Sequence, residues 1–114
     1  MGLTFAEIEL VNSDDLGAVK RGFIQASEVR QVKVSALVDS GAIMMSIPQS
    51  ISQQLGLRIL GDSDVELGDG SVVQLDIAGP LEVRFQNRRT TVEVLVTPQE
   101  TEVLLGSISM GPRM

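Results

Sequence analysis

The chain has 114 residues, a formal net charge of −6, a hydrophobic fraction of 43% and neither cysteine nor histidine. That length fits a single domain over residues 1–114, with a core large enough to take roughly two thirds of the unfolded surface out of water. The absent side chains exclude a disulfide framework, thiolate nucleophiles and Ser-His or Cys-His systems, and they remove the usual zinc ligands.

Tyrosine is also absent, and the only two lysines, Lys20 and Lys33, sit in no motif. Proton transfer in an enzyme of this composition therefore falls to carboxylates. The acidic balance speaks against nucleic acid as a partner, because phosphate binding needs a basic surface. No apolar run approaches about 18 residues, so no transmembrane helix and no membrane partner are expected. Met1-Gly2-Leu3-Thr4-Phe5-Ala6-Glu7 has neither a basic region nor an apolar run. No signal peptide is read there, and a cytoplasmic location is expected. Ala6 stands where a myristoylation motif wants Ser or Thr.

Thr4 to Val11 alternate, with Ala6, Ile8 and Leu10 on one face and Glu7 and Glu9 on the other, which predicts an opening strand. Asn12-Ser13-Asp14-Asp15-Leu16-Gly17 is rich in turn formers and is read as its end. Ala18 to Ala26 fit either a short strand or an ordered loop around Phe23 and Ile24.

Alternation returns at Val29. Val32, Val34, Ala36 and Val38 fall on one face, and Lys33, Ser35, Leu37 and Asp39 on the other. This predicts a strand buried on both sides at its end, running into the Asp39-Ser40-Gly41 turn. A carboxylate at the end of a buried apolar run usually has a partner or a task. The plain structural task is an Asx-type turn capping the Gly41 or Ala42 amide.

Ser46-Ile47-Pro48-Gln49 has capping-box spacing, with Pro48 in the first turn. Ile47, Ile51 and Leu55 then repeat at four-residue steps, and Gly56 is placed to end the helix in a left-handed conformation. Asp64 to Leu67, a Gly68-Asp69-Gly70 tip, and Ser71 to Ile77 predict a hairpin. Gly79-Pro80 turns the chain before the alternating Leu81, Val83 and Phe85. Asn87-Arg88 turns it again before Val92, Val94 and Val96, and Val103-Leu104-Leu105-Gly106 is a last apolar strand. Short strands at roughly ten-residue spacing indicate a small all-β barrel or sandwich. Arg88-Arg89 reads as a solvated turn, Met44 and Met45 as core filler. Asp62, Asp64 and Asp69 lack calcium-loop spacing and read as solvated turn residues, so no metal is expected.

With these elements in order, the sequence resembles the retropepsin-like aspartic proteases. An apolar strand leads into Asp39-Ser40-Gly41-Ala42, an Ile-Pro-initiated helix ends in Leu55-Gly56-Leu57, a Gly-rich hairpin follows, and Val103-Leu104-Leu105-Gly106 matches an apolar-apolar-Gly signature. The opening Met1-Gly2-Leu3-Thr4 is similar to that of small stand-alone bacterial members. The resemblance implies an all-β fold, a small closed barrel with one short helix, acting as a homodimer on a peptide or protein substrate without a cofactor. It implies that Asp39 is catalytic and that Ser40 and Gly41 support it. It further implies that Ala42 and the flap residues Gly68, Asp69, Gly70 and Ser71 bind the substrate. Relatives usually continue past the Leu-Leu-Gly turn with a helix and an interface strand, whereas here Gly111-Pro112 breaks any helix. A non-catalytic peptide-binding or dimerisation module of the same fold is the alternative.

Overall fold

A computed structural model describes residues 4–39, 44–66, 70–98 and 103–106, with the backbone only at 39 and 104–106. The alternating opening segment forms β1 (Thr4–Asn12), with Ile8 and Leu10 buried and Glu7 and Glu9 outside the core. Asn12 does not open a turn. It caps a helix, α1 (Ser13–Lys20), its side-chain oxygen accepting the Asp15 N–H at 3.0 Å. Asp14 and Asp15 lie in the first turn and Lys20 in the last, as the helix dipole favours. Gly22, at φ 79°, ends α1 in a Schellman arrangement: its N–H donates to the Val19 carbonyl and the Phe23 N–H to that of Ala18. The turn expected over Asn12 to Gly17 is corrected by this helix, while residues 21–25, with Phe23 and Ile24, form a loop, one of the two readings open for that stretch.

A single 3-10 turn (Ala26–Glu28) leads to β2 (Gln31–Asp39). Ala36 is fully buried, while Leu37 and Val38 are half-buried. β3 (Ser46–Pro48) follows, then α2 (Gln49–Leu55), closed by Gly56 at φ 63° as expected. The expected capping box does not form. Pro48 is the N-cap without a side-chain hydrogen bond, because Ser46 and Ile47 are held in the sheet opposite Leu95 and Val96. The remaining strands are β4 (Arg58–Glu66), β5 (Val72–Phe85), β6 (Arg88–Thr97) and β7 (Val103–Gly106). The turn between β5 and β6 is Gln86-Asn87, one residue earlier than expected.

The all-β class holds, with two helices among the described residues where one was expected. The strands form one sheet in the order β1–β2–β7–β3–β6–β5–β4, with an additional β1–β5 ladder. That sheet is not the simple closed barrel expected, because β5 changes partner along one edge. Its Leu81–Arg84 stretch pairs with β1, and its Val72–Gly79 stretch pairs with β4. The change falls at Gly79-Pro80, where an irregularity in the β5–β6 register lies between Ala78 and Leu81. β4 is thus carried outside the β1–β5 contact as an edge strand.

Inside the folded-back sheet, Leu10, Met45, Ile47, Leu55, Leu81 and Val94 are essentially inaccessible. Burying a side chain of this size stabilises the fold by about 1.5–3 kcal/mol. No helix among the described residues is long and apolar enough to cross a membrane.

Candidate active site

β2 delivers Asp39 to the end of its strand, in parallel register with Gly106 of β7. Ahead of that pair, Val38 matches Leu105 and Leu37 matches Leu104, while Ala36 and Val103 are buried in the core. The structure thus sets the end of the Asp-Ser-Gly strand beside the Leu-Leu-Gly strand, two motifs far apart in sequence. β2 ends at Asp39, and β3, the next strand in the chain, lies on the other side of β7.

Ser40, Gly41 and Ala42 lie outside the described residues, as do Gly68 and Asp69 and the tail from Ser107 onward. Gly70 is described, at φ 87° with open space where a Cβ would stand, and Ser71 is exposed. Both belong to the hairpin expected as a flap, which is longer than the sequence suggested. Its ladder runs from Glu66↔Val72 back to Arg58↔Gly79. Alternation gives this arm two unlike faces. Val65, Val73, Leu75 and Ile77 are half-buried on one side, and Asp62, Asp64, Gln74 and Asp76 are exposed on the other. Asp62 and Asp64 are solvated, as expected, though in a strand and not in a turn.

A shallow hollow where the arm leaves the body is lined by Gln49, Gln74, Leu75, Asp76, Val96 and Pro98. It holds a single carboxylate and no acid pair. Of the methionines, Met45 is core filler as expected and Met44 is half-buried. Arg88 and Arg89 are exposed at the hairpin. Among the described residues, no group of three or more acidic side chains is arranged to hold a metal ion.

The polar cluster that sequence inspection missed lies behind α1. Asp15 is buried and takes three hydrogen bonds from Arg30: from the backbone N–H and Nε to Oδ2, and from Nη2 to Oδ1, each 2.9 Å. The Arg30 side-chain hydrogen bonds hold the Asp15 carboxyl below its ordinary pKa, against the opposing effect of burial, and the same bonds raise that of Arg30. Asn12 Nδ2 donates to the Leu55 carbonyl at 2.8 Å, tying the start of α1 to the end of α2. The available signal was Asn12 followed three residues later by Asp15, an N-terminal helix pattern.

Comparison with known proteins agrees with this architecture. The family described as gag-polyprotein putative aspartyl protease matches residues 26–110. No curated protein sequence matched the chain. The solution structure of the Simian Foamy Virus (mac) protease is similar at 21% identity and TM-score 0.56, covering 97% of this chain and 100% of that one. The EIAV protease in complex with the inhibitor HBY-793 aligns at 18% identity and TM-score 0.56, over 65% of this chain and 70% of that one. A retropepsin-like aspartic protease from Rickettsia conorii aligns at 16% identity and TM-score 0.50, over 92% and 74% of the two chains. The matching family model, together with the shared fold, sets the chain in the aspartic-protease class. The chain belongs to the retropepsin-like aspartic protease family.

Proposed function

We propose that the chain is a single-domain aspartic endopeptidase that works as a homodimer on extended polypeptides. The observation that carries this proposal is the register of Asp39 with Gly106, which sets the family's two motif strands side by side. One carboxylate cannot both take a proton from water and give one to a departing amine. Two carboxylates about 3 Å apart can, because their repulsion keeps one protonated. The chain supplies one Asp-Ser-Gly motif, so a second copy supplies the other across a two-fold axis.

In this scheme the ionised Asp39 takes a proton from a water molecule whose oxygen attacks the scissile carbonyl carbon. The protonated Asp39 of the second copy hydrogen-bonds the carbonyl oxygen as it becomes tetrahedral. Collapse of that intermediate breaks the C–N bond, and a proton passes to the leaving amine. Ser40 holds the two loops together through its hydroxyl, and Gly41 permits the tight backbone that Asp39 needs. Ala42 and the Gly68-Asp69-Gly70-Ser71 tip contact the extended peptide, the tip excluding water as the arm closes. The half-buried Val65, Val73, Leu75 and Ile77 favour substrates with apolar side chains.

The test is cleavage of a peptide library by the parent and by Asp39→Asn between pH 4 and 7, with sedimentation of both. A dimer that cleaves in the parent and is silent in the variant supports the proposal. Equal turnover in both overturns it, and silence in both favours the alternative of a peptide-binding or dimerisation module.

A further inference from the structure

We propose that Asp14 and Arg58 are positioning residues that anchor the root of the β4–β5 arm to the body of the protein. Four observations converge on this pair. Arg58 is the first residue of β4 and lies in register with Gly79, the last β5 residue to pair with β4. One step along, the β4–β5 ladder is irregular between Ile59 and Gly61, leaving Leu60 as an extra residue. The β5–β6 ladder is irregular at the same level, between Ala78 and Leu81. Bulges bend a strand and weaken its pairing, so the arm has a soft line across its root.

The third observation is the mount. Along one edge of β5, β1 gives way to β4, and α1 starts in that interval. Asp14 stands in the first turn of α1, next to Asp15, which is locked to Arg30, and two residues after Asn12, which is locked to the Leu55 carbonyl. A carboxylate on such a support has little freedom to follow a moving arm. The fourth is the contact itself. Arg58 Nε donates to Asp14 Oδ2 at 2.7 Å and Nη2 to Oδ1 at 3.4 Å, a two-pronged bond across the junction. Arg58 sits on the body side of the Leu60 bulge, so the pair fixes the inner end of β4, while β5 stays paired with β6 as far as Asp76 and the arm projects beyond that point.

Both side chains are partly exposed, at 64% and 46%. An ion pair of this kind shifts an equilibrium by up to about fivefold, and salt weakens it. That is enough to matter for local opening of an arm, a process drawn from the low-stability end of a fold. An unanchored arm populates more non-productive positions, which lowers apparent affinity for a peptide held beneath it without altering the chemistry. The effect on substrate rests on the arm being the flap of the proposed protease. The anchoring itself does not.

The experiment uses the full chain in three forms: Arg58→Asp, which leaves the α1 sequence intact, Asp14→Arg, and the double exchange. Amide hydrogen exchange is followed over 61–66 and 72–75, the part of the arm that does not pair with β6, with Ile8, Leu10 and Ala36 as core controls. Arg58→Asp is expected to speed exchange in the arm by about two- to fivefold with the core controls unchanged. It is expected to raise KM by a similar factor at constant kcat, and the double exchange should move both values back toward the parent. Unchanged arm exchange in Arg58→Asp overturns the anchor, as does a double exchange no better than the worse single variant. Faster arm exchange with KM unmoved overturns the role toward substrate. If the parent itself cleaves nothing, the endopeptidase assignment fails separately, and hydrogen exchange alone decides the anchor.

Discussion

Asp15 and Arg30 face each other through three hydrogen bonds of 2.9 Å, with the Asp15 side chain only 10% exposed and the Arg30 side chain 51% exposed. A carboxylate in that setting is poorly hydrated and depends on its partner. Replacing it by an amide (Asp15→Asn) removes the charge and at least one of the three bonds, and leaves the N-cap contact from Asn12 in place. The expected loss is about 2 kcal/mol, the scale of a charge-assisted hydrogen bond. Urea unfolding of parent and variant at pH 7 measures it.

The same pair sets an acid dependence. The Asp15 carboxyl is held below its ordinary value in the folded state, chiefly by the Arg30 hydrogen bonds. Its contribution is therefore fully present above the unfolded pKa of about 3.9 and is lost as pH falls through the lower folded value. The parent should lose stability faster than Asp15→Asn on going from pH 5 to pH 2. Parallel curves for the two proteins over that range would remove the pair as the cause.

Gly56 is the residue on which this cluster closes. It ends α2 at φ 63°, and a Cβ added there would strike the Arg30 guanidinium. Gly56→Ala therefore meets two costs. The left-handed conformation disfavours any L side chain by about 1–2 kcal/mol, and Arg30 must swing off Asp15 to make room. The variant should be at least as destabilised as Asp15→Asn. The two substitutions combined should cost less than their sum, because both act through the same contact. A four-protein unfolding cycle reads that coupling.

Gln86 occupies the left-handed region at φ 55°, at the first of the two residues joining β5 to β6. Glycine takes this conformation without strain, while its extra freedom in the unfolded chain offsets part of the gain. Gln86→Gly is expected to stabilise the protein by about 0.5 kcal/mol, read as a rise in denaturation midpoint at unchanged m-value.

What the sequence made legible follows from which forces act locally. Period-two alternation identified β1, β2, β6 and the Leu81–Phe85 part of β5, because each buries one face against the same core, whereas the turn expected at Gly79-Pro80 is an irregularity inside the continuous β5. Gly56 was found because a left-handed helix end has few other solutions. The α1 helix was missed because its apolar stripe is weak and its signal lies in its caps. Asn12, Asp14 and Asp15 look like turn residues until the Schellman bonds of Gly22 and Phe23 are seen. Ser46-Ile47 was assigned to a helix because a capping box is a local pattern, whereas the pairing of Ser46 with Leu95 and Leu104 is long-range. The candidate site divides the same way. Asp39 was marked by its place at a strand end, but nothing local shows that Gly106 would stand beside it.

The endopeptidase proposal predicts an unusual behaviour on mixing. If two Asp39 residues from two copies make one dyad, a subunit carrying Asp39→Asn inactivates the partner it pairs with. When parent and variant are mixed in equal amounts and exchange freely, about a quarter of the dimers hold two Asp39 residues, following from two-fold pairing of equivalent surfaces. Half of all parent chains then sit in mixed dimers. Turnover per parent chain should fall to about half that of the undiluted parent at the same total concentration. A site complete within one chain would keep turnover per parent chain constant across every mixing ratio. Titrating the variant from zero to large excess at fixed parent concentration therefore separates the two arrangements by the shape of the curve. In the two-copy case activity declines toward zero as the variant captures each parent chain; in the one-copy case the line is flat. Sedimentation of the same mixtures establishes that the dimerised fraction does not fall as variant is added, so that a decline reports the composition of the dyad and not dissociation.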